Sequence, residues 1–342
     1  MIMKKFILPE NGNFYKANLH CHTTFSDGRR TPAEIKDIYK KLGFSIVAYT
    51  EHEIMVPHPE LNDDSFLALN GFEASIDEKE VNQYGYKKCC HICFVALEED
   101  NLTQPCWNEK YVWGNARNHI AEVTKDENEQ YVRVFTPECI NDMMKTCREK
   151  GFFVTYNHPT WSLEDYSDYM QYEGMHAFEM FNGSCIKNGY EDYNPRVYDD
   201  MLRAGKRFYC IGADDNHNPA PDDSRYADSG WAYITIKADK LEYRTITKAL
   251  EDGHFYSSEG PEIYDLWYED GKLHVRCSEA DRINCNYNLR RARTVLSENG
   301  VPVTEATFDF DPQFAYARIT VIDKQGRRAC TNAIFRDEVE AE

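Results

Sequence analysis

The sequence has no apolar run approaching the length of a membrane span, and the one near its start, Phe6-Ile7-Leu8, is far too short for a signal-peptide core. Positive charge is also scarce: 39 lysines and arginines against 58 aspartates and glutamates leave a formal charge of −19. Such a surface repels a phosphate backbone or an anionic membrane, so neither nucleic acid nor membrane is expected as a partner, and the cytoplasm is the expected location. A second cysteine pair is missing too. Cys90 and Cys93 have the spacing of half a zinc ribbon, but nothing completes it, and residues 91–97 read as a buried strand, so both read as structural. Twelve cysteines scattered through a long chain suggest thiols rather than a disulfide scaffold. There is no low-complexity tract. With 42% hydrophobic residues in 342, a large core is within reach, read as one big domain plus a small one.

What is present is a repeated local pattern. Residues 31–52 place Thr31 at an N-cap, Pro32 at the first helical position, Glu34 where it completes a capping box, and Gly43 just past the helix end. Ile35, Ile38, Tyr39 and Leu42 form the apolar face, and a short apolar run follows that ends on Glu51-His52. Residues 136–158 repeat the pattern from Thr136 and Pro137 through Gly151 to His158, and residues 194–217 from Pro195 through Gly205 to Asp214, Asp215 and His217. About seven parallel strands with intervening helices favour a barrel over an open sheet, with chemistry at the carboxyl ends of the strands. Residues 98–133 are polar, contain Trp107 and Trp113, and read as a long insertion in the place of a lid. Past residues 257–262 the pattern changes to period-two alternation. The expected division is therefore a barrel over 1–258 and a small, sandwich-like antiparallel β domain over 259–342, which holds no cluster of ligand-type residues.

Residues two apart on a strand face the same side, so His20 and His22 point together into the barrel. Asp27 follows five residues after His22. His52, Glu73 and His158 end strands, His91 opens one, and Asp215 and His217 repeat the spacing of two. Six histidines and three carboxylates at one face are costly to bury uncompensated, and divalent cations supply the compensation. Nitrogen and oxygen donors without thiolate suit Zn, Mn or Fe.

The segments "HCHTTFSDG", "YTEH", "GFE", the histidine before "ICFVAL", "NHP" and "DDNH", in this order, resemble the motifs of the PHP (polymerase and histidinol phosphatase) superfamily, over roughly residues 14–260. The resemblance implies an α/β fold, a distorted seven-stranded (β/α)7 TIM-like barrel, with three divalent metal ions on nine side chains. His20, His22, Glu73 and Asp215 would hold one ion, Glu73, His91 and His158 a second, and Asp27, His52 and His217 a third, with Glu73 bridging. It also implies the C-terminal β domain, which larger members carry. Two positions depart from the family pattern: Glu51 stands where aspartate is usual, and Asp214 adds an acid beside Asp215. Asp215 is assigned as ligand because it repeats the spacing to His217, with Asp214 as the fallback.

A hydroxide bridging two such ions is a nucleophile at neutral pH, so hydrolysis follows. Three divalent ions, three carboxylates and one hydroxide sum to about +2, which suits a phosphate ester. The expected activity is that of a metal-dependent phosphoesterase acting on a small phosphorylated metabolite, with Asp215 as a proton shuttle and Arg196, Arg225 and His58 as substrate contacts, Lys187 behind them. Hydrolysis of an amide, carbamate or carboxylic ester at the same centre is the runner-up, and a metal-stabilised binding module without turnover is the third reading. His119, His176, His254 and His274 read as structural or solvated.

Overall fold

The local signals act as they read. In the computed structural model, which describes residues 4–125 and 130–341, Thr31 Oγ1 accepts from the Glu34 N–H while the Glu34 carboxylate accepts from the Thr31 N–H at 2.8 Å, starting the helix Pro32–Lys41. Thr136 caps Pro137–Glu149, and Pro195 opens Pro195–Arg203. The chain leaves each helix through a glycine in the left-handed region, Gly43, Gly151 and Gly205, with φ of 82°, 81° and 90°. Ile35, Ile38 and Tyr39 then pack with Val47 and Tyr49 of the following strand, and Ile140, Met143, Met144 and Cys147 with Phe152 and Val154 of theirs.

Seven strands lie side by side in one sheet in chain order: Asn13–Asn18, Ile46–Tyr49, Leu67–Asp77, Cys89–Ala96, Phe152–Tyr156, Ala177–Asn182 and Tyr209–Ala213. They are not all parallel, as the sequence pattern suggested. Cys89–Ala96 runs antiparallel to both neighbours, because residues 78–88 form only a return loop and hold no crossover helix. The reversal explains why His91 opens its strand while the other donors end theirs: Ser75 pairs with His91, so the start of this strand lies beside the end of the one before it. The two ends of the run also meet. Cys21 and Asn216 form a parallel bridge, with the Asp215 N–H donating to His20 O at 3.0 Å and the His22 N–H to Asn216 O at 3.1 Å.

Leu19, Ala48, Leu69, Val95, Phe153 and Ile211 from these strands share one apolar cluster, joined by Ile246 and Leu250 of the helix Tyr243–Glu251.

The sheet continues without a break into the C-terminal third. Asn13–Asn18 pairs with Tyr233–Ala238, which pairs with Phe255–Ser258, and that strand with Arg328–Thr331, Tyr316–Ile322 and Arg282–Tyr287 in turn. A second antiparallel sheet joins Lys4–Phe6, Ile263–Glu269, Lys272–Ala280 and Val303–Asp309. Leu266, Leu273 and Val275 of this sheet meet Ile283, Ile319 and Val321 of the large one in a separate core. The architecture is thus mixed α/β with a C-terminal antiparallel region. The boundary expected at 258 falls at the end of Phe255–Ser258, a strand with one partner before it and one, Arg328–Thr331, from beyond it. Among the described residues no helix is long and apolar enough to cross a membrane.

Candidate metal centre

All nine sequence-predicted donors come together. Asp27, His22, His52 and His217 form one group of converging donor atoms, His20, His22 and Glu73 a second, and His52, Glu73 and His91 a third. Glu73 is the hub. Its Oε1 lies 2.9 Å from His91 Nδ1 and 3.2 Å from both His20 Nε2 and His158 Nε2, and its Oε2 lies 2.9 Å from His52 Nδ1 and 3.4 Å from His22 Nε2. Asp215 Oδ1 adds contacts of 3.2 Å to His20 Nε2 and 3.0 Å to His22 Nε2. Asp27 Oδ1 lies 3.3 Å from His217 Nε2.

Several of these close approaches are not hydrogen bonds. His20 Nε2, both ring nitrogens of His22 and Glu73 Oε2 are buried without a hydrogen-bond partner. Unpartnered buried polar atoms are costly, and donors about 3 Å apart whose lone pairs converge on a shared point are the arrangement left by ligands of one cation. The site fits divalent ions on this ground.

The outer nitrogens of three rings are taken, which fixes the rings. His20 Nδ1 faces Glu179 Oε1 at 2.9 Å, His158 Nδ1 faces Ser162 Oγ at 3.3 Å, and His217 Nδ1 faces the Asp215 carbonyl at 3.0 Å. Each partner leaves Nε2 aimed inward. Glu179 is buried in the strand Ala177–Asn182 and also accepts from the His158 N–H and from Asn182 Nδ2, both at 3.0 Å. His158 and Asp215 sit at φ of 24° and 52°, strained backbone that the surrounding contacts hold in place.

Electrostatics follow the geometry. Burial alone would raise the Asp215 carboxyl, but the charge of His20 and the contact with His22 outweigh it and hold Asp215 well below the usual carboxylate range. Glu73 behaves likewise, burial being outweighed by His20, His91 and His52. Burial, with His52 and His217 beside it, pushes His22 down to about 3. Anionic carboxylates and a neutral His22 are the forms that bind metal, whereas at His20, His91 and His217 the neighbouring carboxylates outweigh burial and push the rings up, His217 to about 9, so a cation binding there would displace protons.

The two departures from the family pattern have structural roles. Glu51 reaches away from the donors to accept from Thr23 Oγ1 at 2.5 Å, from the Thr23 N–H at 3.1 Å and from Ser26 Oγ, tying down the loop that carries Asp27. Asp214 also turns away. It accepts from the Tyr39 hydroxyl at 2.8 Å and from the N–H groups of Gly230, Trp231 and Ala232, so Asp215, not Asp214, faces His20 and His22.

The substrate contacts expected from the sequence do not reach the cavity. The centre opens into a space of about 540 Å³ whose wall includes Tyr111, Trp113, Trp161 and Tyr190 and, among the described residues, no lysine or arginine. Arg196 lies on the solvent side of its helix, paired with Asp200 one turn on. Arg225 stacks on Tyr226, Lys187 on Trp231, and His58 is buried between Phe25 and Tyr49 with Glu60 at its Nδ1. Sequence reasoning also missed Glu179, a lone acid in an apolar strand, and Cys89, which groups with Asp77 and His91 at the edge of the centre. The signal for Cys89 was its spacing of two from His91 on a strand.

No family model matches the chain, and no curated protein does. Among solved structures the chain is similar to proteins described as metal-dependent phosphoesterases, one of them PHP-like. One is a two-domain protein from Bacteroides vulgatus containing a predicted PHP-like metal-dependent phosphoesterase, at 15% identity and a TM-score of 0.46, with 96% of this chain and 98% of that one covered. Others are a protein described as a metal-dependent phosphoesterase from Bifidobacterium adolescentis, at 15% identity, a TM-score of 0.38, and 65% and 94% coverage, and an amidohydrolase from Chromobacterium violaceum with bound sulfate and no metal, at 14% identity, a TM-score of 0.40, and 70% and 96% coverage. Likeness this distant carries no weight for function, which has to rest on the side chains.

Proposed function

We propose that the chain is a metal-dependent hydrolase of the PHP type that cleaves a phosphoric ester of a small metabolite. In this reading three divalent cations, Zn, Mn or Fe, are held by His20, His22, Asp27, His52, Glu73, His91, His158, Asp215 and His217. The observation that carries it is Glu73: five imidazoles lie within 3.4 Å of one buried carboxylate whose Oε2 has no hydrogen-bond partner. When bound, the cations supply positive charge that polarises water and the reacting group.

The chain's own residues supply the rest. Glu179, Ser162 and the Asp215 carbonyl orient three rings. Asn182 Nδ2 donates to Asp215 Oδ2 at 3.1 Å and, with His20 and His22, keeps this side chain a carboxylate, the form in which it would bind a cation. The seven-strand run joined end to end by the Cys21–Asn216 bridge is the distorted (β/α)7 barrel of this reading, with one strand reversed. Residues 1–258 carry all nine donors, and 259–342 form the appended β unit.

One observation favours the second reading, an amide, carbamate or carboxylic ester substrate: with no lysine or arginine on the described cavity wall, a neutral carbonyl group meets no unmatched charge. Turnover of p-nitrophenyl phosphate and p-nitrophenyl acetate by the protein loaded with each metal separates the two, with chelator-treated protein as control. The phosphoester reading expects phosphate ester hydrolysis that chelation abolishes and that His20→Ala or Asp215→Ala lowers more than about 100-fold with the fold intact. Metal-dependent hydrolysis of the acetate alone would establish the carbonyl reading, and tight metal without turnover of either would leave the binding module.

A further inference from the structure

The cavity wall has a composition that the donor set does not require. Trp113, Trp161 and Tyr190 line the cavity and are 44%, 40% and 48% exposed, so each keeps a large part of its ring open to a ligand. Both indoles stand against the centre itself. The Trp113 ring is 5.1 Å from the His52 ring, and the Trp161 ring is 5.2 Å from His91 and 5.3 Å from His158. One therefore stands on the His52 side of Glu73, the other on the His91 and His158 side.

Neither indole hangs on loose backbone. Val112, next to Trp113, is buried in a small core with Ile54, Val56 and Trp107, so its neighbour is presented outward at a fixed place. The backbone at Trp161 is held by the buried carboxylate of Asp192, which accepts from the Thr160 N–H at 3.3 Å and the Trp161 N–H at 2.9 Å. Outside the nine donors the wall includes the carboxylates of Asp77 and Asp228 and, among the described residues, no lysine or arginine. A second phosphate or carboxylate on the substrate would find no cationic partner there among the described residues outside the metal centre.

We infer that the part of the substrate next to the reacting group is a flat aromatic or heteroaromatic ring without anionic substituents, stacked on Trp113 or Trp161. The inference rests on the phosphoester reading and narrows its substrate class to aryl-type esters, setting aside sugar bisphosphates and nucleoside polyphosphates. Ring stacking supplies affinity without an anionic group on the substrate, which suits a wall whose charged side chains outside the nine donors are carboxylates.

Binding of non-hydrolysable phosphonates to the metal-loaded full chain tests it, read by calorimetry. Phenylphosphonate is expected to bind about tenfold or more tighter than methylphosphonate, the scale of ring-on-ring stacking, and tighter than cyclohexylphosphonate, which is apolar but not flat. Trp113→Ala or Trp161→Ala should remove most of that preference while leaving methylphosphonate affinity within about threefold, and the phenylalanine variant at the same position should restore it. Equal binding of phenyl- and methylphosphonate, or of phenyl- and cyclohexylphosphonate, overturns the inference alone. Failure of all three to bind overturns the phosphoester reading beneath it.

Discussion

At the scale of single residues, the carboxylates do unlike work according to what surrounds them. Glu179 never needs to touch a cation to matter: by accepting at His20 Nδ1 and at the His158 N–H it turns two donors inward. Glu179→Gln keeps the volume but weakens its pull on His20, so metal affinity should fall about 10- to 100-fold with little loss of stability, as measured by competition with a chromophoric chelator. Unchanged affinity would show that His20 is held by other contacts. Glu164 is a second case, remote from that role. Burial pushes its carboxyl up to about 8, against the opposing effect of the Tyr172 and Tyr156 hydroxyls that donate to it at 2.6 and 2.7 Å. The folded state therefore holds this proton where the unfolded chain, with a pKa of about 4.3, has released it. Its stabilising share is fully present at acid pH and is lost as pH rises toward 8, at up to about 1.4 kcal/mol per pH unit. Urea unfolding at pH 5.5 and 8 should show that decline in the parent and a flatter response in Glu164→Gln.

The same scale shows why the donors were legible and the substrate contacts were not. A histidine pair spaced by two on a strand states its own direction, as His20-His22 does. Arg196 says nothing of the cavity, but the sequence already offered its true partner, Asp200, at the helical spacing of four. Glu179 carried no motif, only the oddity of one acid in an apolar strand.

At the scale of elements, the helix signals at Thr31, Thr136 and Pro195 were local chemistry and could be read directly. The direction of Cys89–Ala96 depends on what residues 78–88 lack, and the absence of a helical pattern there is a weaker sign than its presence elsewhere. A buried ion pair, beside the hydrogen bonds of Gln104 to Met55 and Glu53, ties the described part of the insertion to the rest of the chain. Arg133 Nη1 meets Glu53 Oε2 at 2.5 Å and the Ser75 carbonyl at 3.0 Å, with the guanidinium 4.5 Å over the Tyr111 ring. Removing one partner leaves a buried charge unmatched, so Arg133→Met should cost about 3–5 kcal/mol by urea unfolding. The double variant Arg133→Met, Glu53→Gln should recover much of that. Because Tyr111 and Trp113 belong to the same insertion, the single variant should also expose residues 98–133 to limited proteolysis. A loss below about 1 kcal/mol would mean that the insertion is held by its apolar contacts instead.

At the scale of the whole molecule, two sequence grammars meet at residue 258, and a change of grammar reads as a change of domain. Backbone pairing does not respect that change. Tyr256 pairs with Thr331 and Ser258 with Ala329, so the strand that closes the first region has its outer edge covered by the last one. Arg318 makes two 2.8 Å bonds to Asp199, and Asn332 takes the Cys210 N–H at 2.9 Å while donating to the carbonyls of Gly253 and Phe255. Lys4–Phe6, from the other end of the chain, is itself a strand of the C-terminal sheet. Long-range pairing of this kind leaves no trace in local periodicity, since each strand alternates whoever its neighbour is. A chain ending at residue 258 would expose the edge of Phe255–Ser258, leave the Cys210 N–H without its Asn332 acceptor and take Arg318 from Asp199, a state prone to aggregate. That truncated chain should be insoluble or fail to bind metal, while the full chain should unfold in one transition, with circular dichroism and tryptophan fluorescence coinciding across urea. A soluble 1–258 fragment with the metal affinity of the full chain would instead show that the β unit is carried by the donor-bearing region and not built into it.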